Sequence, residues 1–510
     1  MPIPLVNSIA SWFLKKRFHQ MELFLKYPNE VQHELLHVLL ETAKNTEFGR
    51  NYDFGSIRNY ETFKERVPIR SYEDYEPMIE RSRLGENNIF WPTSIKWFAK
   101  SSGTTSAKSK FIPVSQESLE DCHFAAGKDL LCMYLNNNED SQLFTGKSLR
   151  LGGSKELYKE NGTSFGDLSA IIIDNMPFWA DFSSTPSSEI SLMSDWEFKM
   201  KAIVNETIQE NVTSLAGVPS WMLVLLNEVL ETTGKNHLFE IWSNLEVYFH
   251  GGVNFDPYID QYTKILPKDS FKYYEIYNAS EGFFAIQDHN DSSELLLMLD
   301  YGIFYEFIPM STYGNDDEKV ISLSEVEVGK NYAVIITTNA GLWRYKIGDT
   351  VRFTSVNPYR IKVSGRTKHH INVFGEELII ENTEEALRKT AKATNSEIVD
   401  YTVAPIFMKG KEKGAHEWMI EFKKLPQDIE AFKLILDQNL QNVNSDYEAK
   451  RYNSTTLNML ELREARKDLF YDWLKMKDKL GGQHKIPRLS NTRIYIEELL
   501  ALNEVNSLSS

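Results

Sequence analysis

The sequence predicts an α/β protein with a large mixed α/β N-terminal domain that holds several sheets and a small α+β C-terminal domain. The chain has 510 residues, of which 42% are hydrophobic and 12% aromatic, enough to bury one large core or several. Between about residues 90 and 350, short β-type runs alternate with helical ones. A turn-rich passage over residues 355–377 precedes the signals of a smaller unit, so we expect domains over residues 1–365 and 366–510.

The first 90 residues or so have helical patterns. One apolar stripe at helical spacing comprises Leu5, Ile9, Trp12 and Phe13. This stripe predicts an amphipathic helix docked on the body of the protein, and a membrane-surface anchor is the alternative. A second stripe at helical spacing comprises Val31, Leu35, Leu36, Leu39 and Leu40. Ser71 is expected to cap a further helix.

The β-type runs predict more than one sheet. In chain order they are IKWFA, KFIPV, SAIII, LEVYFHGG, KYYEIY, LLLMLDYGIFYEFIP and YAVIITT. Ser115, directly after KFIPV, is expected to cap the helix that carries Leu119 and Cys122.

Charge and cysteine content restrict the partners and the compartment. Lys and Arg number 56 against 72 Asp and Glu, and the net charge of −16 would repel nucleic acid. The two cysteines, Cys122 and Cys132, would lie roughly 15 Å apart along one helix, too far for a disulfide, which fits a reducing cytoplasm. The basic cluster at residues 15–17 follows apolar residues, the reverse of a secretory signal, and no run is long enough to cross a bilayer. We expect a cytoplasmic protein without stable membrane insertion. The sequence leaves the oligomeric state open and favours a monomer.

The segment KSSGTTSAKSKFIPV, residues 100–114, predicts a loop that holds phosphate. Its hydroxyl donors, flexible glycine and positive charges suit a polyphosphate; they are Ser101, Ser102, Gly103, Thr104, Thr105, Lys108 and Lys110. The Walker spacing is absent and a strand follows, so this is a different kind of nucleotide loop. On composition alone, a solvated hairpin loop is the alternative.

In series with two later segments, this loop resembles the signature loop of the adenylate-forming (ANL) superfamily. YNASEG, residues 277–282, is similar to the motif whose aromatic ring stacks on adenine and whose Glu holds magnesium. LWRYKIGD, residues 342–349, is similar to the motif whose Asp binds both ribose hydroxyls.

Within that superfamily the chain most resembles the auxin-responsive (Gretchen Hagen) acyl acid amido synthetases, best known from plants and also found in bacteria. The likeness spans nearly the whole chain, and we expect a bacterial-type member. The motifs that carry it are Arg344 with Tyr345, TEFGRNYDF, VPIRSYEDYEPMIE and GGQHKIPRLS. It implies an ANL-type fold and an enzyme that activates a carboxylic acid with ATP and Mg²⁺ and joins it to an amine, usually an amino acid.

The resemblance also implies residue roles. Lys485 would bridge the acyl carboxylate and the α-phosphate, Glu281 would position Mg²⁺, and Ser280 would lie near the α-phosphate. The implied ATP site comprises Ser101, Ser102, Gly103, Thr104, Thr105, Lys110, Gly251, Gly252, Tyr277, Asn278, Ala279, Asp349 and Arg366.

Each role has a structural alternative. Lys485 could be a solvated lysine, and Asp349 a turn residue at a strand end. Gly251 and Gly252 could form a plain tight turn, and Tyr277 could be a core aromatic. Asn278 stands where the superfamily commonly has Gly, which departs from the motif.

The small domain is implied to be a mobile lid whose closure excludes water. Lys368 would be the hinge and Arg451 would meet the amine substrate. The acyl pocket would draw on GVPSWM, residues 217–222, and on the helix after the phosphate loop. His369 and His370 point to opposite faces of a strand, so we reject a metal site there.

Two rival functions stay open at this point. An acyl-CoA ligase would need a basic groove for coenzyme A, and no such cluster stands out in the sequence. A nucleotide-binding regulatory or scaffold protein without catalysis would not require Glu281, Asp349 and Lys485 together.

Overall fold

The structure is a computed structural model that describes residues 17, 20–101, 110–151, 158–160, 162–176, 183–191, 193, 196–252, 255, 258–315, 318–367, 371, 378–407, 414–444, 447–448, 451, 457–477, 486–490 and 492–507. The predicted N-terminal stripe at residues 5–13 and the histidine pair at 369–370 lie outside these ranges.

The chain divides into two compact units. The first contains the described residues of Met1–Ile347 and Val351–Val363, and the second contains those of Gly348–Thr350, Ser364–Leu480 and His484–Ser510. Their functional division into a nucleotide-binding domain and a lid stays a prediction.

Polar caps mark the start of several helices in the first unit, and a stripe of apolar residues buries one side of the helix Pro28–Ala43. Thr46 and Asn59 each accept a bond from a backbone N–H of the first turn, at 2.9 Å, and the Asp74 carboxylate accepts from the Ser71 N–H at 2.8 Å. The second predicted stripe is confirmed, since Leu36, Leu39 and Leu40 are buried. The described α-helices are Pro28–Ala43, Glu47–Asn51, Tyr60–Arg66, Tyr72–Arg83, Ala125–Asn137, Leu168–Asp174, Ser188–Ser191, Trp196–Thr207, Pro219–Thr233 and Ile259–Ile265. The shorter 3₁₀-helices are Phe54–Ser56, Leu143–Thr145, Leu238–Glu240 and Leu323–Glu325, and a π-helix covers Ser118–Phe124.

A twelve-stranded mixed sheet is the largest described. Its strands are β3 Lys147–Arg150, β6 Ser184–Thr185, β7 Val212–Gly217, β8 Val247–Gly251, β9 Lys272–Ala279, β10 Gly282–Ile286, β11 Leu295–Leu297, β12 Ile303–Pro309, β13 Ile321–Ser322, β14 Asn331–Thr338, β15 Tyr345–Val356 and β16 Tyr359–Arg366. Their order in the sheet is β13-β12-β14-β15-β16-β11-β10-β9-β8-β7-β3-β6. The pairings from β9 through β8, β7 and β3 to β6 are parallel. β9 pairs antiparallel with β10, β10 with β11, β11 with β16, and β12 with both of its neighbours.

A second sheet of four strands carries the predicted phosphate loop. Its order is β2-β1-β5-β4, with β1 Trp97–Ser101, β2 Lys110–Val114, β4 Tyr158–Glu160 and β5 Thr163–Gly166. β1 pairs antiparallel with β2, and Ser101 lies opposite Lys110. The loop therefore connects two strands of one hairpin, as predicted.

Three predicted segments differ in the structure. SAIII, predicted as a strand, forms the helix Leu168–Asp174, whose Leu168, Ala170 and Ile171 are buried. The long run LLLMLDYGIFYEFIP is split into β11 and β12, with Gly302 at φ +71° between them. The passage predicted as turn-rich instead provides the end of β15 and all of β16.

The second unit is built on a three-stranded sheet. β17 Glu397–Ile406 pairs antiparallel with β18 Ala415–Lys424, which pairs parallel with β19 Glu461–Ala465. Its described helices are Ile380–Thr394, Ile429–Val443, Leu469–Met476 and Ile494–Ser507. The apolar sides of Ile380–Thr394 and Ile429–Val443 share a core with Trp418 and Ile420 of β18. The predicted small α+β unit is confirmed in this form.

Within the described residues, none of the helices combines the length and the hydropathy needed to cross a membrane.

Candidate active site

The turn between β9 and β10 presents the predicted metal-binding carboxylate. Ala279 pairs with Gly282, so Ser280 and Glu281 form a two-residue turn at the tip of the hairpin. Ser280 is buried and Glu281 is half-buried. A Cβ on Gly282 would lie 2.6 Å from Ile303 Cδ1, so a larger residue directly after the turn would require the Ile303 side chain to move. The hairpin thus holds a hydroxyl and a carboxylate side by side on a packed base.

A buried phenol faces this carboxylate. Tyr345 is fully buried, and its hydroxyl donates a long bond of 3.5 Å to Glu281 Oε1. Burial raises the pKa of Tyr345 well above its usual value, so the phenol stays protonated and keeps its donor. Tyr345 therefore restrains Glu281 only weakly, because the bond is long.

Tyr277 occupies a packed position on β9. Its ring centroid lies 4.8 Å from that of Phe284 at an interplanar angle of 48°, and the residue is buried. Asn278 and Ala279, which follow it, are half-buried. The ring contact agrees with the alternative of a core aromatic, and the adenine-stacking role stays a prediction.

The glycine pair at the end of β8 has a structural cause. A Cβ on Gly251 would lie 2.5 Å from the carbonyl oxygen of Ile276 on β9, so the two strands can pair only around glycine. Gly252 has φ +79°, a backbone conformation that favours glycine. Strand packing thus accounts for Gly251 and backbone conformation for Gly252, and their approach to adenine stays a prediction.

The imidazole beside this pair is buried and neutral. His250 is 3% exposed and its ring stacks on Phe255, with centroids 4.1 Å apart. Nδ1 of His250 has no hydrogen-bond partner among the described residues. Burial lowers the pKa of His250 to about 3, because a charged imidazole would be desolvated there.

The phosphate loop itself lies outside the described residues, which include only its two ends. Lys110 Nζ lies 5.3 Å from the ring centroid of Tyr72, a cation–π contact. Other predicted site residues outside the described ranges are Ser102, Gly103, Thr104, Thr105, Lys108, Lys368 and Lys485.

In the second unit, the predicted ribose carboxylate lies within strand β15. The strand-end position expected for Asp349 is therefore wrong, although Gly348 before it does adopt φ +86°. Asp349 is 6% exposed, and Arg366 Nε lies 3.0 Å from its Oδ1. The Thr367 N–H donates to the Gly348 carbonyl at 2.7 Å, which fixes the backbone around the carboxylate.

Arg451, also in the second unit, is held by a buried ion pair. Its Nε and Nη2 each lie 2.8 Å from the Asp437 carboxylate, and Nη1 donates to the Leu457 carbonyl at 3.0 Å. The two side chains are 11% and 6% exposed. These contacts favour a structural role, so the assignment to the amine substrate stays a prediction that would require this pair to open.

The predicted acyl region begins where β7 ends. Gly217 has φ +159°, and a Cβ there would lie 3.3 Å from the methyl carbon of Met222 and 3.2 Å from the Leu151 carbonyl. Met222 is fully buried on helix Pro219–Thr233. The two ends of the segment, Gly217 and Met222, are therefore closely packed, and the acyl-pocket role of the segment stays a prediction.

Sequence reasoning missed a buried ion pair beneath the site. Arg344, noted only as a motif residue, contacts Glu306 through Nε at 2.8 Å and Nη2 at 2.9 Å, with side chains 3% and 1% exposed. Its Nη1 donates to the carbonyls of Lys64 and Val67 at 2.8 and 2.6 Å. Arg344 also adopts φ +47°, uncommon for a residue with a side chain. The partner is 38 positions away, and no spacing rule connects the two.

Comparison with known families identifies the family of this chain. Residues 17–271 match the GH3 family N-terminal domain, residues 296–366 its central domain and residues 381–494 its C-terminal domain. The chain belongs to the GH3 family. The predicted family and the predicted enzyme class, a ligase that forms carbon–nitrogen bonds, are confirmed, while the bacterial type stays a prediction.

Named GH3 relatives align with this chain over most of their length. The indole-3-acetic acid-amido synthetase GH3.4 of Arabidopsis thaliana is 21% identical, covering 92% of this chain and 90% of the relative. The jasmonoyl-L-amino acid synthetase JAR6 of Nicotiana attenuata is 23% identical, covering 95% of each. The 4-substituted benzoates-glutamate ligase GH3.12 of Arabidopsis thaliana is 23% identical, covering 90% and 92%.

Solved structures confirm the ANL-type fold. The acyl acid amido synthetase AtGH3.15 in complex with 2,4-DB has a TM-score of 0.80 at 18% identity, covering 97% of this chain and 96% of that one. A 2-hydroxyisobutyryl-CoA ligase in complex with 2-HIB-AMP, in the postadenylation state, has a TM-score of 0.60 at 14% identity, covering 94% and 92%.

Proposed function

We propose that this GH3 protein is an ATP-dependent acyl acid amido synthetase that adenylates a small carboxylic acid and transfers the acyl group to an amine, with an amino acid as the expected acceptor. The observation that carries the proposal is the match of all three GH3 domains along the chain. The named relatives support the substrate classes, because their names pair an acyl acid with an amino acid.

The chemistry explains why ATP is required. A carboxylate is a poor acyl donor because its charge repels nucleophiles and oxide is a poor leaving group. In the first step a carboxylate oxygen bonds to the α-phosphorus of ATP and pyrophosphate leaves, which gives an acyl adenylate. In the second step the amine nitrogen bonds to the carbonyl carbon, AMP leaves and the nitrogen loses a proton. Both steps move negative charge on phosphate oxygens, so the protein must hold that charge.

Glu281 fits the predicted Mg²⁺ role. Magnesium commonly binds one or two carboxylates and takes its other ligands from water and substrate phosphates. Glu281 offers a half-buried carboxylate at a turn, beside the hydroxyl of Ser280. In the described part of the chain, no cluster of three or more His, Cys, Asp or Glu side chains could hold a metal. Bound Mg²⁺ would neutralise charge on the ATP phosphates.

The remaining roles complete the proposal. The loop over residues 101–105 would hold the outer phosphates, Asp349 the ribose hydroxyls, and Lys485 the developing charge between the carboxylate and the α-phosphate. A carboxylate suits Asp349 because it can accept two hydroxyl donors at once. Arg366, at 3.0 Å from Asp349, orients that carboxylate. We also propose a cytoplasmic monomer in which residues 366–510 act as a mobile lid.

Carboxylate-dependent exchange of labelled pyrophosphate into ATP tests the adenylation step. A panel of aromatic and aliphatic acids should give exchange with at least one member, and Glu281→Gln should reduce it while the exposed Glu47→Gln does not. No exchange with any acid, despite intact ATP binding, would favour the scaffold function.

The fold likeness to a CoA ligase supports an acyl-CoA ligase as a second candidate. With the most active acid, the two candidates are separated by comparing AMP release in the presence of amino acids and of coenzyme A. Release that requires an amino acid, with an amide detected by mass spectrometry, supports the synthetase. Release that requires coenzyme A contradicts it.

A further inference from the structure

Two local irregularities of the first unit meet at a single thiol. The helix that begins after the phosphate-loop hairpin starts as a π-helix, Ser118–Phe124, before it continues as the α-helix Ala125–Asn137. The ladder between β9 and β10 shifts its register between Phe283 and Ala285, directly after the Ser280–Glu281 turn. π-Helical turns and β-bulges are both found preferentially beside functional sites.

Cys122 connects these two features. The Phe283 N–H donates to Cys122 Sγ at 3.1 Å, and the thiol lies 3.8 Å from the Phe283 carbonyl oxygen, within the range of a sulfur hydrogen bond. The same Sγ is 3.7 Å from where a Cβ on Gly282 would stand. The thiol thus bonds to Phe283, two residues after Glu281, and lies near Gly282.

The protonation state of the thiol suits both contacts. Cys122 is 1% exposed, and burial raises the pKa of its thiol to about 12. The sulfur therefore stays neutral, so it can accept from the Phe283 N–H and donate to its carbonyl. Burial and neutrality also make Cys122 a poor nucleophile, which leaves packing or positioning as its role.

Ser115 fixes the start of this helix through two hydrogen bonds. Ser115, the residue after β2, accepts from the Ser118 N–H at 2.9 Å and donates to the Asn339 carbonyl at 2.8 Å. The predicted cap is thus confirmed. One short segment consequently joins the strand that leaves the phosphate loop to the hairpin that carries Glu281.

We propose that Cys122 is a positioning residue for Glu281: its thiol fixes the backbone of Phe283 so that the Glu281 carboxylate stands where Mg²⁺ bound to ATP requires it. This inference rests on the proposed metal role of Glu281. In this proposal Cys122 contacts neither nucleotide nor metal. It acts on Glu281 through Phe283 and Gly282.

The test compares ATP affinity with and without the metal. Isothermal titration calorimetry gives the ATP dissociation constant of the full chain in excess Mg²⁺ and again in EDTA. The value in EDTA divided by the value in Mg²⁺ measures how much the metal site strengthens ATP binding. Cys122→Ala should lower this ratio roughly two- to tenfold, the factor that corresponds to one hydrogen bond of ordinary net strength. Cys122→Ser, which keeps a donor and an acceptor, should preserve most of the ratio.

Controls separate positioning from packing. Cys132→Ala removes a second buried thiol from the same helical segment and should leave the ratio unchanged. Thermal unfolding of each variant measures stability independently, and if Cys122→Ala does not fold, Cys122→Val refills the space without a hydrogen bond. A purely structural thiol would lower the melting temperature and leave the ratio unchanged.

The outcomes distinguish the two levels of the proposal. If Glu281→Gln lowers the ratio and neither Cys122→Ala nor Cys122→Val does, the positioning role is wrong and the metal role stands. If Glu281→Gln itself leaves the ratio unchanged, Glu281 does not hold the metal and the inference falls with it. A fall in the ratio for Cys132→Ala equal to that for Cys122→Ala would also overturn the proposal.

Discussion

Replacing Glu306 with glutamine isolates the electrostatic contribution of the buried pair beneath the site. The substitution keeps the shape of the side chain and removes its charge. Arg344, which is 3% exposed, then loses the carboxylate it contacts, although the carbonyls of Lys64 and Val67 still accept from it. Tyr60, whose hydroxyl donates to Glu306 Oε1 at 3.0 Å, can donate to the glutamine carbonyl instead.

The structure sets the size of the expected loss. Breaking a buried ion pair by removing one partner costs about 3–5 kcal/mol, because an uncompensated charge is left in the interior. We therefore expect Glu306→Gln to lower the free energy of unfolding of the first unit by about that amount. Urea unfolding followed by circular dichroism gives the difference as the shift in midpoint multiplied by the m-value.

An exposed pair of similar geometry provides the matched control. Arg81 contacts Glu47 through two bonds of 2.9 and 2.6 Å, but the two side chains are 39% and 37% exposed. Solvent screening limits such pairs to about 1 kcal/mol, so Glu47→Gln should have a small effect. Equal losses for the two variants would refute the argument from burial.

Four further results are expected. His250 binds a proton near pH 6.5 in the unfolded chain and only near pH 3 in the folded chain, so the free energy of unfolding should fall on acidification between these values by up to about 1.4 kcal/mol per pH unit. His250→Phe should make this dependence on pH less steep. An unchanged slope in urea titrations would contradict the assignment. Gly251→Ala should destabilise the protein by about 1–3 kcal/mol in urea because of the clash with β9, and stability equal to the wild type would show that the strands can separate to admit a methyl group. Gly127→Ala, at a helical position with open space around it, should stabilise the protein by about 0.5–1 kcal/mol in the same assay, and a loss would contradict the open space. Asp349→Ala should chiefly weaken ATP binding in calorimetry, whereas Lys485→Ala should leave ATP affinity intact and slow pyrophosphate exchange by orders of magnitude; equal loss of affinity in both would contradict this division of roles.

Local rules predicted the elements whose signals lie within the segment itself. The strand–loop–strand arrangement of residues 97–114 followed from two apolar runs around a Ser, Thr and Gly stretch. The cap at Ser115 followed from its position before a helical stripe, because capping depends on a bond three residues away.

Segments decided by tertiary packing were predicted less well. Three consecutive isoleucines at 171–173 have high β propensity, yet they form part of a helix whose Leu168, Ala170 and Ile171 pack into the interior. A short apolar run is compatible with a buried strand or a buried helix, and only its neighbours decide.

Long-range polar contacts were beyond any sequence rule. Cys122 and Phe283 are 161 positions apart, and Arg344 and Glu306 are 38 positions apart. The motif residues around 277–282 could be found because a family pattern contains them. Their restraint by Cys122 and Tyr345 became visible only in three dimensions.

Oxygen labelling tests the acyl adenylate most directly. The acid that supports pyrophosphate exchange is prepared with ¹⁸O in both carboxylate oxygens and incubated with ATP, Mg²⁺ and the amino acid acceptor. Mass spectrometry should then find one ¹⁸O in AMP and the other in the amide, because the oxygen that bonded to the α-phosphorus leaves with it. Label in orthophosphate together with ADP, or AMP without label, would contradict activation through an acyl adenylate.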